Sequence, residues 1–290
     1  RVGDLLERAQ DAADRWGVAA GVPVDAARQY HDALGPEGDD RRAPDDEADR
    51  RISDLLAEQV EAADLVVCNK TDLVDEDERA RVREAIEALR PDAAVIETTF
   101  AAVDPDRLLD TGRHDPAVDP GWRQALDRDE DADAGHGHDH GHEHPEAASG
   151  IESFVSRRRR PFDPAAFAEL VADLPDGVVR SKGTCWIAGR PDRPIHYSQA
   201  GPSARVEASG RWIASLPEAD RELYRANRSD LDWDESVGDR RTELVVIGRG
   251  VDEAALVERL DACLVEPGSV GSAPGYPDAD GEAATLAGPD

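Results

Sequence analysis

Methionine is absent from the 290 residues, lysine occurs only as Lys70 and Lys182, and cysteine only as Cys68, Cys185 and Cys263. Three widely spaced thiols offer neither the even count of a disulfide framework nor the CxxC spacing of a zinc knuckle, and they suit a reducing compartment such as the cytoplasm. No apolar run approaches the roughly 20 residues that a membrane helix requires, which excludes a helical membrane-spanning protein. Also missing is any GxxxxGK[ST] string, and neither lysine sits in a glycine-rich loop ahead of a helix. The backbone cradle and lysine that hold the β and γ phosphates of a nucleotide, with their magnesium, are therefore not visible. Since a start codon would leave a methionine and processing ahead of Arg1 is not expected, the front of a longer protein is expected to be missing.

Negative charge is what the chain has in excess. Sixty-four Asp and Glu stand against 34 Lys and Arg, for a net charge of -30. Nucleic acid and anionic lipid are polyanions too, so neither is an expected partner, whereas metal ions are favoured. Acid excess with almost no lysine reads as a halophile's solvated surface, whose self-repulsion is screened at high ionic strength.

The length allows about two domains. Leu5, Leu6, Ala9, Ala12 and Ala13 recur at helical spacing over residues 1–16, and Val18–Ala26 is a short apolar run suited to a buried strand. Residues 35–50 lack apolar periodicity and read as a solvated insertion. A clear unit follows: a helix presenting Ile52, Leu55, Leu56 and Val60, a buried strand Leu65–Cys68, a helix Glu76–Arg90 stopped by Pro91, and a strand Ala93–Glu97. Alternation of this kind is the grammar of a parallel α/β sheet. Residues 112–150, rich in Gly, Pro, Asp and His, read as a linker or a long functional loop. Beyond Ile151, strand patterns over 151–162, 178–189, 193–201, 204–215 and 240–248 alternate with helices at Asp163–Leu174, Glu218–Ala226 and Asp252–Cys263, which predicts a compact α+β domain. From Pro267 the composition predicts a disordered tail. The expected division is 1–111, 112–150, 151–266 and 267–290.

Three stretches carry possible chemistry. Asn69-Lys70-Thr71-Asp72 ends the buried strand, where open α/β sheets place ligands. A carboxylate at Asp72 can accept both the ring N–H and the exocyclic amino group of guanine, a pair adenine does not present. The Lys70 stem can cover the base, and Asn69 can bridge loops and reach its edge; a site built this way rejects a base without those donors. The plain alternative is a turn in which Asn and Asp cap the next helix. The second stretch alternates His136, His138, His140, His142 and His144 with Asp139 and Glu143 between them. Imidazoles on a glycine-rich segment can converge on zinc, nickel, cobalt or copper as an exchangeable site. A solvated low-complexity loop is the alternative, and a purification tag is disfavoured by its internal, acid-interspersed position. The third is Arg157–Arg160, read as a strand end paired with carboxylates in preference to a phosphate contact. Cys68 and the Cys185–Trp186 pair read as packing residues, and His196, alternating with Ile195 and Tyr197 in a strand, as structural and not as a ligand.

In order along the chain, VDAARQYHDAL, LLAEQVEAADLVVCNKTDLV, VIETTFAAVDPDRLL, the histidine run, RRRRPFDPAAFAELVADLPDGVVRSKGTCWIAGRPD, SQAG and GDRRTELVVIGRG resemble the CobW family of metallochaperone GTPases, over about Val22 to Leu264. The resemblance implies an α/β protein: part of a parallel-sheet P-loop GTPase domain, without its N-terminal portion, followed by an α+β CobW C-terminal domain. It implies GTP with magnesium as cofactor, zinc or cobalt as cargo and a client metalloprotein as partner. Asn69, Lys70 and Asp72 match the family's guanine-specificity motif, and the five histidines match its metal-binding segment. The family's P-loop, magnesium ligands and CxCC motif have no counterpart, so no catalytic residue is assigned and guanine nucleotides are expected to bind weakly. The alternative expectation is a non-enzymatic metal buffer or interaction module derived from that family.

Overall fold

The computed structural model of the protein describes residues 24–34, 51–108, 121–126, 151–228, 231–269 and 272–287. The expected first helix, the insertion at 35–50 and the histidine run lie outside the described residues.

Strands β1 (Val24–Ala26), β2 (Leu65–Asn69) and β3 (Ala94–Glu97) form a parallel sheet in that order, with Ala26 opposite Asn69 and Cys68 opposite Glu97. Parallel pairing requires crossover connections, which the helices supply. Helices α1 (Ala27–Leu34) and α2 (Ile52–Glu61) lie between β1 and β2, and α3 (Glu76–Leu89) lies between β2 and β3. Tyr30, Leu56, Val60, Val82, Ile86 and Leu89 from these helices close over Val66 and Cys68 of the central strand. Leu65 and Val67, on the opposite face, are buried as well, which explains why β2 is apolar at every position from Leu65 to Cys68 and not at alternate ones. Cys68 is thus a small core residue, as its setting in an apolar run predicts.

The second unit is a six-stranded antiparallel sheet in the order β4-β8-β5-β6-β7-β9. Its strands are β4 (Ile151–Arg158), β5 (Val178–Cys185), β6 (Ile195–Ala200), β7 (Ser203–Ala208), β8 (Thr242–Arg249) and β9 (Ala283–Ala287). Helices α4 (Pro164–Ala172) and α6 (Glu253–Ala262) cover one face, where Phe167, Leu170, Leu256 and Leu260 pack on Tyr197, Val206, Leu244 and Val246. The PFDP stretch is the hinge of this layer. Phe162 stacks on Phe167 with ring centroids 4.5 Å apart, and the Asp163 carboxylate accepts from the backbone N–H groups of Ala165 and Ala166 to start α4 behind Pro164 at its first turn. Helix α5 (Glu218–Asn227) lies outside this core, with no buried residue.

Two sequence expectations need correction. Trp212–Ser215 does not continue a strand: Ile213–Ser215 is a 3-10 turn, because the Asp239 carboxylate accepts from the backbone N–H groups of both Ile213 and Ala214 at 2.8 Å. The tail is not disordered throughout, for β9 pairs with β7 and Ala273 and Tyr276 enter the core, the Tyr276 hydroxyl donating to the Pro164 carbonyl at 3.0 Å. Composition misses this because a few apolar residues suffice once a sheet edge offers unpaired backbone groups. Among the described residues, no helix is long and apolar enough to cross a membrane.

The two units meet across the other face of the large sheet. Val245 and Ile247 of β8, with Ile151, pack on Ala88 of α3 and on Ala125 of a short helical segment over residues 121–126. Beside this patch Arg180 of β5 is fully buried. Its Nε donates to Glu61 Oε1 at 2.7 Å, its Nη2 to Glu61 Oε2 at 3.3 Å, and its Nη1 to Ser198 Oγ at 3.0 Å, while Asp54 lies 3.5 Å from Nη1. Burial alone would lower the guanidinium pKa, but the charges of Glu61 and Asp54 outweigh it and raise the value. Glu61 also pairs with Lys182 at 3.4 Å. A cleft of about 360 Å³ opens next to this cluster between α2, the 121–126 segment and strands β5 to β7.

Candidate guanine-base site

β2 delivers its last residue, Asn69, to the edge of the parallel sheet, and the chain then turns through Lys70 with φ of 55°. That left-handed conformation costs a non-glycine residue about 1–2 kcal/mol. The turn is held from the neighbouring strand: the Thr71 hydroxyl donates to the Thr98 carbonyl at 3.1 Å, and the Thr98 N–H donates to the Cys68 carbonyl at 2.9 Å. Asn69 in turn reaches across, its Oδ1 accepting the Ala101 N–H at 2.9 Å. The loops after β2 and β3 are thereby tied into one wall.

The helix that follows does not use Asp72. Asp75 is its N-cap, accepting the Glu78 N–H at 2.8 Å, while Glu78 accepts the Asp75 N–H at 3.0 Å in a reciprocal capping box. The side chains of Asp72 and Lys70 are both exposed and make no hydrogen bond or ion pair among the described residues. The turn-and-cap alternative for Asn69 and Asp72 therefore has no support, because Asn69 binds a different loop and the cap lies three residues further on. An uncommitted carboxylate at a strand's C-terminal edge, beside a lysine in a fixed turn, can pair with the two donors of a guanine edge.

Sequence reasoning missed the opposite part of this wall. Phe100 and Ala101 have φ of 54° and 52°, adjacent left-handed residues with no glycine, and Phe100 is 94% exposed. The only signal in the sequence is a large apolar residue in a loop directly after a strand.

The remaining predicted positions fall elsewhere. His136, His138, His140, His142 and His144 lie outside the described residues. Among the described residues, no cluster of three or more His, Cys, Asp or Glu side chains is arranged to hold a metal. The arginine run is committed to carboxylates: Arg157 to Glu243 at 2.8 Å, Arg158 to Asp261 at 2.7 Å, Arg159 to Asp232, and Arg160 to Glu266 at 2.9 Å. Cys185 and Trp186 are buried, while His196 is exposed on the cleft side of the large sheet, with Nδ1 3.3 Å from Thr184 Oγ1.

The family model described as CobW/HypB/UreG, nucleotide-binding domain, matches residues 18–97, and that described as the cobalamin synthesis protein cobW C-terminal domain matches residues 151–264. Together the two take up more than half of the chain. The chain belongs to the CobW family. Asn69, Lys70 and Asp72 fall within the nucleotide-binding match, and Arg180 within the C-terminal one. This CobW-family chain is 31% identical over 82% of its length to the zinc-regulated GTPase metalloprotein activator 1 of Dictyostelium discoideum, of which it covers 49%. It is 36% identical over 44% of its length to a zinc chaperone of Mycobacterium tuberculosis, of which it covers 33%. The chain thus spans about half the length of the first relative and a third of the second. Among solved structures, the Zn(II)-bound YjiA GTPase from E. coli is similar with a TM-score of 0.33 and 15% identity, over 84% of this chain and 61% of that one.

Proposed function

We propose that this chain serves in a GTP-dependent metallochaperone that delivers zinc or cobalt to a client metalloprotein. Asn69, Lys70 and Asp72 would read the guanine of GTP, and His136, His138, His140, His142 and His144 would take up exchangeable metal. The observation that carries the reading is the Asp72 carboxylate, exposed and unshared with the helix cap, on a wall that Asn69 fixes through the Ala101 N–H. The names of the two relatives favour zinc over cobalt. GTP with magnesium would supply the energy of a switch: if nucleotide and metal each favour one conformation, each changes the other's affinity by the same factor. A second reading is a metal buffer or interaction module without a GTPase step, resting on the five histidines alone.

Zinc and cobalt titration by calorimetry in molar salt separates the two readings. It is run with and without GTP and magnesium, on the wild type, on a variant with the five histidines replaced by Ala, and on Asp72→Asn. The chaperone reading expects metal binding that needs the histidines and shifts with GTP. It also expects Asp72→Asn to weaken guanine nucleotide binding by about 10- to 100-fold, the worth of a charge-assisted hydrogen-bond pair. Metal binding that ignores GTP selects the buffer.

A further inference from the structure

We infer that Phe100 is the stacking platform of the guanine site, supplying the aromatic face on which the purine lies while Asp72 reads its edge. The inference rests on the guanine reading of Asn69, Lys70 and Asp72 and adds a specificity-independent affinity residue to it. Four large apolar side chains are exposed among the described residues; Leu73 and Phe100 are two of them, both on this rim, and Phe100 is the most exposed of all. Nothing in the core accounts for that placement. The backbone around it is nevertheless closely held: the Ala102 N–H donates to the Thr99 carbonyl at 3.1 Å, the Val103 N–H to the Ala101 carbonyl at 2.9 Å, and the Thr98 hydroxyl to the Ala102 carbonyl at 2.9 Å. Asn69, the first residue of the guanine motif, makes the remaining tie through the Ala101 N–H.

Two adjacent non-glycine residues held in left-handed backbone, next to an aromatic ring in solvent, are a combination that a fold does not need and a ligand site does. Every base has a π face, so an aromatic platform adds affinity without choosing among bases, whereas the Asp72 carboxylate chooses. The two residues therefore separate experimentally.

The test titrates the full chain with GDP, and separately with xanthosine diphosphate, following the Phe ring protons and the dissociation constants by NMR. Phe100→Ala is expected to weaken GDP binding about tenfold while leaving the GDP to xanthosine diphosphate ratio unchanged, and Phe100→Trp to restore it. In the wild type the Phe100 ring protons are expected to move upfield as GDP binds. Asp72→Asn is expected to reverse the ratio. Wild-type GDP affinity in Phe100→Ala, with Asp72→Asn still impaired, overturns the stacking role and leaves the guanine reading standing. GDP binding indifferent to both substitutions overturns both. Because Phe100 is exposed, the thermal midpoint of Phe100→Ala should match the wild type, which separates lost stacking from lost folding.

Discussion

The chain has two lysines, one in the turn that follows β2 and one within β5, and they sit in opposite circumstances. Lys70, at the edge of the parallel sheet, is exposed in a left-handed turn and makes no ion pair among the described residues. Lys182, in the antiparallel sheet, pairs with Glu61 at 3.4 Å and lies 4.8 Å from the centre of the Trp122 ring. The same contrast runs through the acids and arginines: Asp72 stands uncommitted, whereas Arg157 to Arg160 each hold a carboxylate. Residue type therefore does not mark the site in this molecule; the lack of an internal partner does. In the large sheet, charge is used to build the body and to fasten it to the small one, and in the small unit Glu97 at the end of β3 is likewise held by Arg83, whereas Lys70 and Asp72 after β2 are left available.

The fastening is where this contrast is most open to attack. Arg180 and Glu61 are both buried, and removing one partner strands the other charge where water does not reach, at about 3–5 kcal/mol. Arg180→Met is therefore expected to lower the unfolding free energy by about that amount, read by urea denaturation at fixed molar salt. Arg249→Met, which breaks the exposed pair with Glu84 across the same boundary, is expected to cost about 0–1 kcal/mol. Adding Glu61→Leu to Arg180→Met should recover part of the loss. Equal losses in the two single variants would mean that the buried cluster is not the fastening. Glu61 also ends α2 only a few residues ahead of β2, so the same cluster sits close to the strand that carries the guanine motif.

A smaller effect is expected at Gly183. This residue faces the backbone of β8 so closely that a Cβ would overlap the Glu243 carbonyl oxygen. Gly183→Ala should force β5 and β8 apart and cost about 1–3 kcal/mol in the same denaturation assay. A neutral result would show that the two strands have room to move, and that the tight sheet is less rigid than its packing implies.

Much of this was legible in the sequence where local chemistry decides. The apolar run of β2, the amphipathic faces of α2 and α3, and the Pro-Phe-Asp-Pro start of α4 all follow from periodicity and capping. So did the fate of the arginine run and of Cys68, because a net charge of -30 supplies partners for any guanidinium and an apolar run buries a thiol. What escaped depends on contacts distant in sequence. Asp239 caps a turn 26 residues before it, and β9 acquires its strand character only from the edge of β7. Phe100 escaped because its left-handed backbone is imposed by Asn69, which is 31 positions away from it and bonds its neighbour. Arg180 reads as one more strand residue until the acids of α2 are placed against it.

The smallest effect is the one that tests the cleft between the sheets. His196 lies on its floor with Thr184, Lys182, Arg205, Glu207 and Glu243, under Asp54 and Glu58 of α2. Partial burial lowers its pKa, Lys182 lowers it further, and Glu207 opposes both. A histidine that is less basic in the folded chain than in the unfolded one loses stability when it is protonated. Above the ordinary histidine value of about 6.5 both states are neutral and His196 contributes nothing. As pH falls below that value the unfolded chain takes up its proton first, so stability falls with pH until the folded form is protonated too. Subtracting the stability of His196→Gln from that of the wild type should therefore give a curve that is flat above about pH 6.5 and declines below it. A curve that rises on acidification would mean that the carboxylates of the cleft, Glu207 foremost, govern the ring and that the cleft is more anionic than its paired side chains indicate.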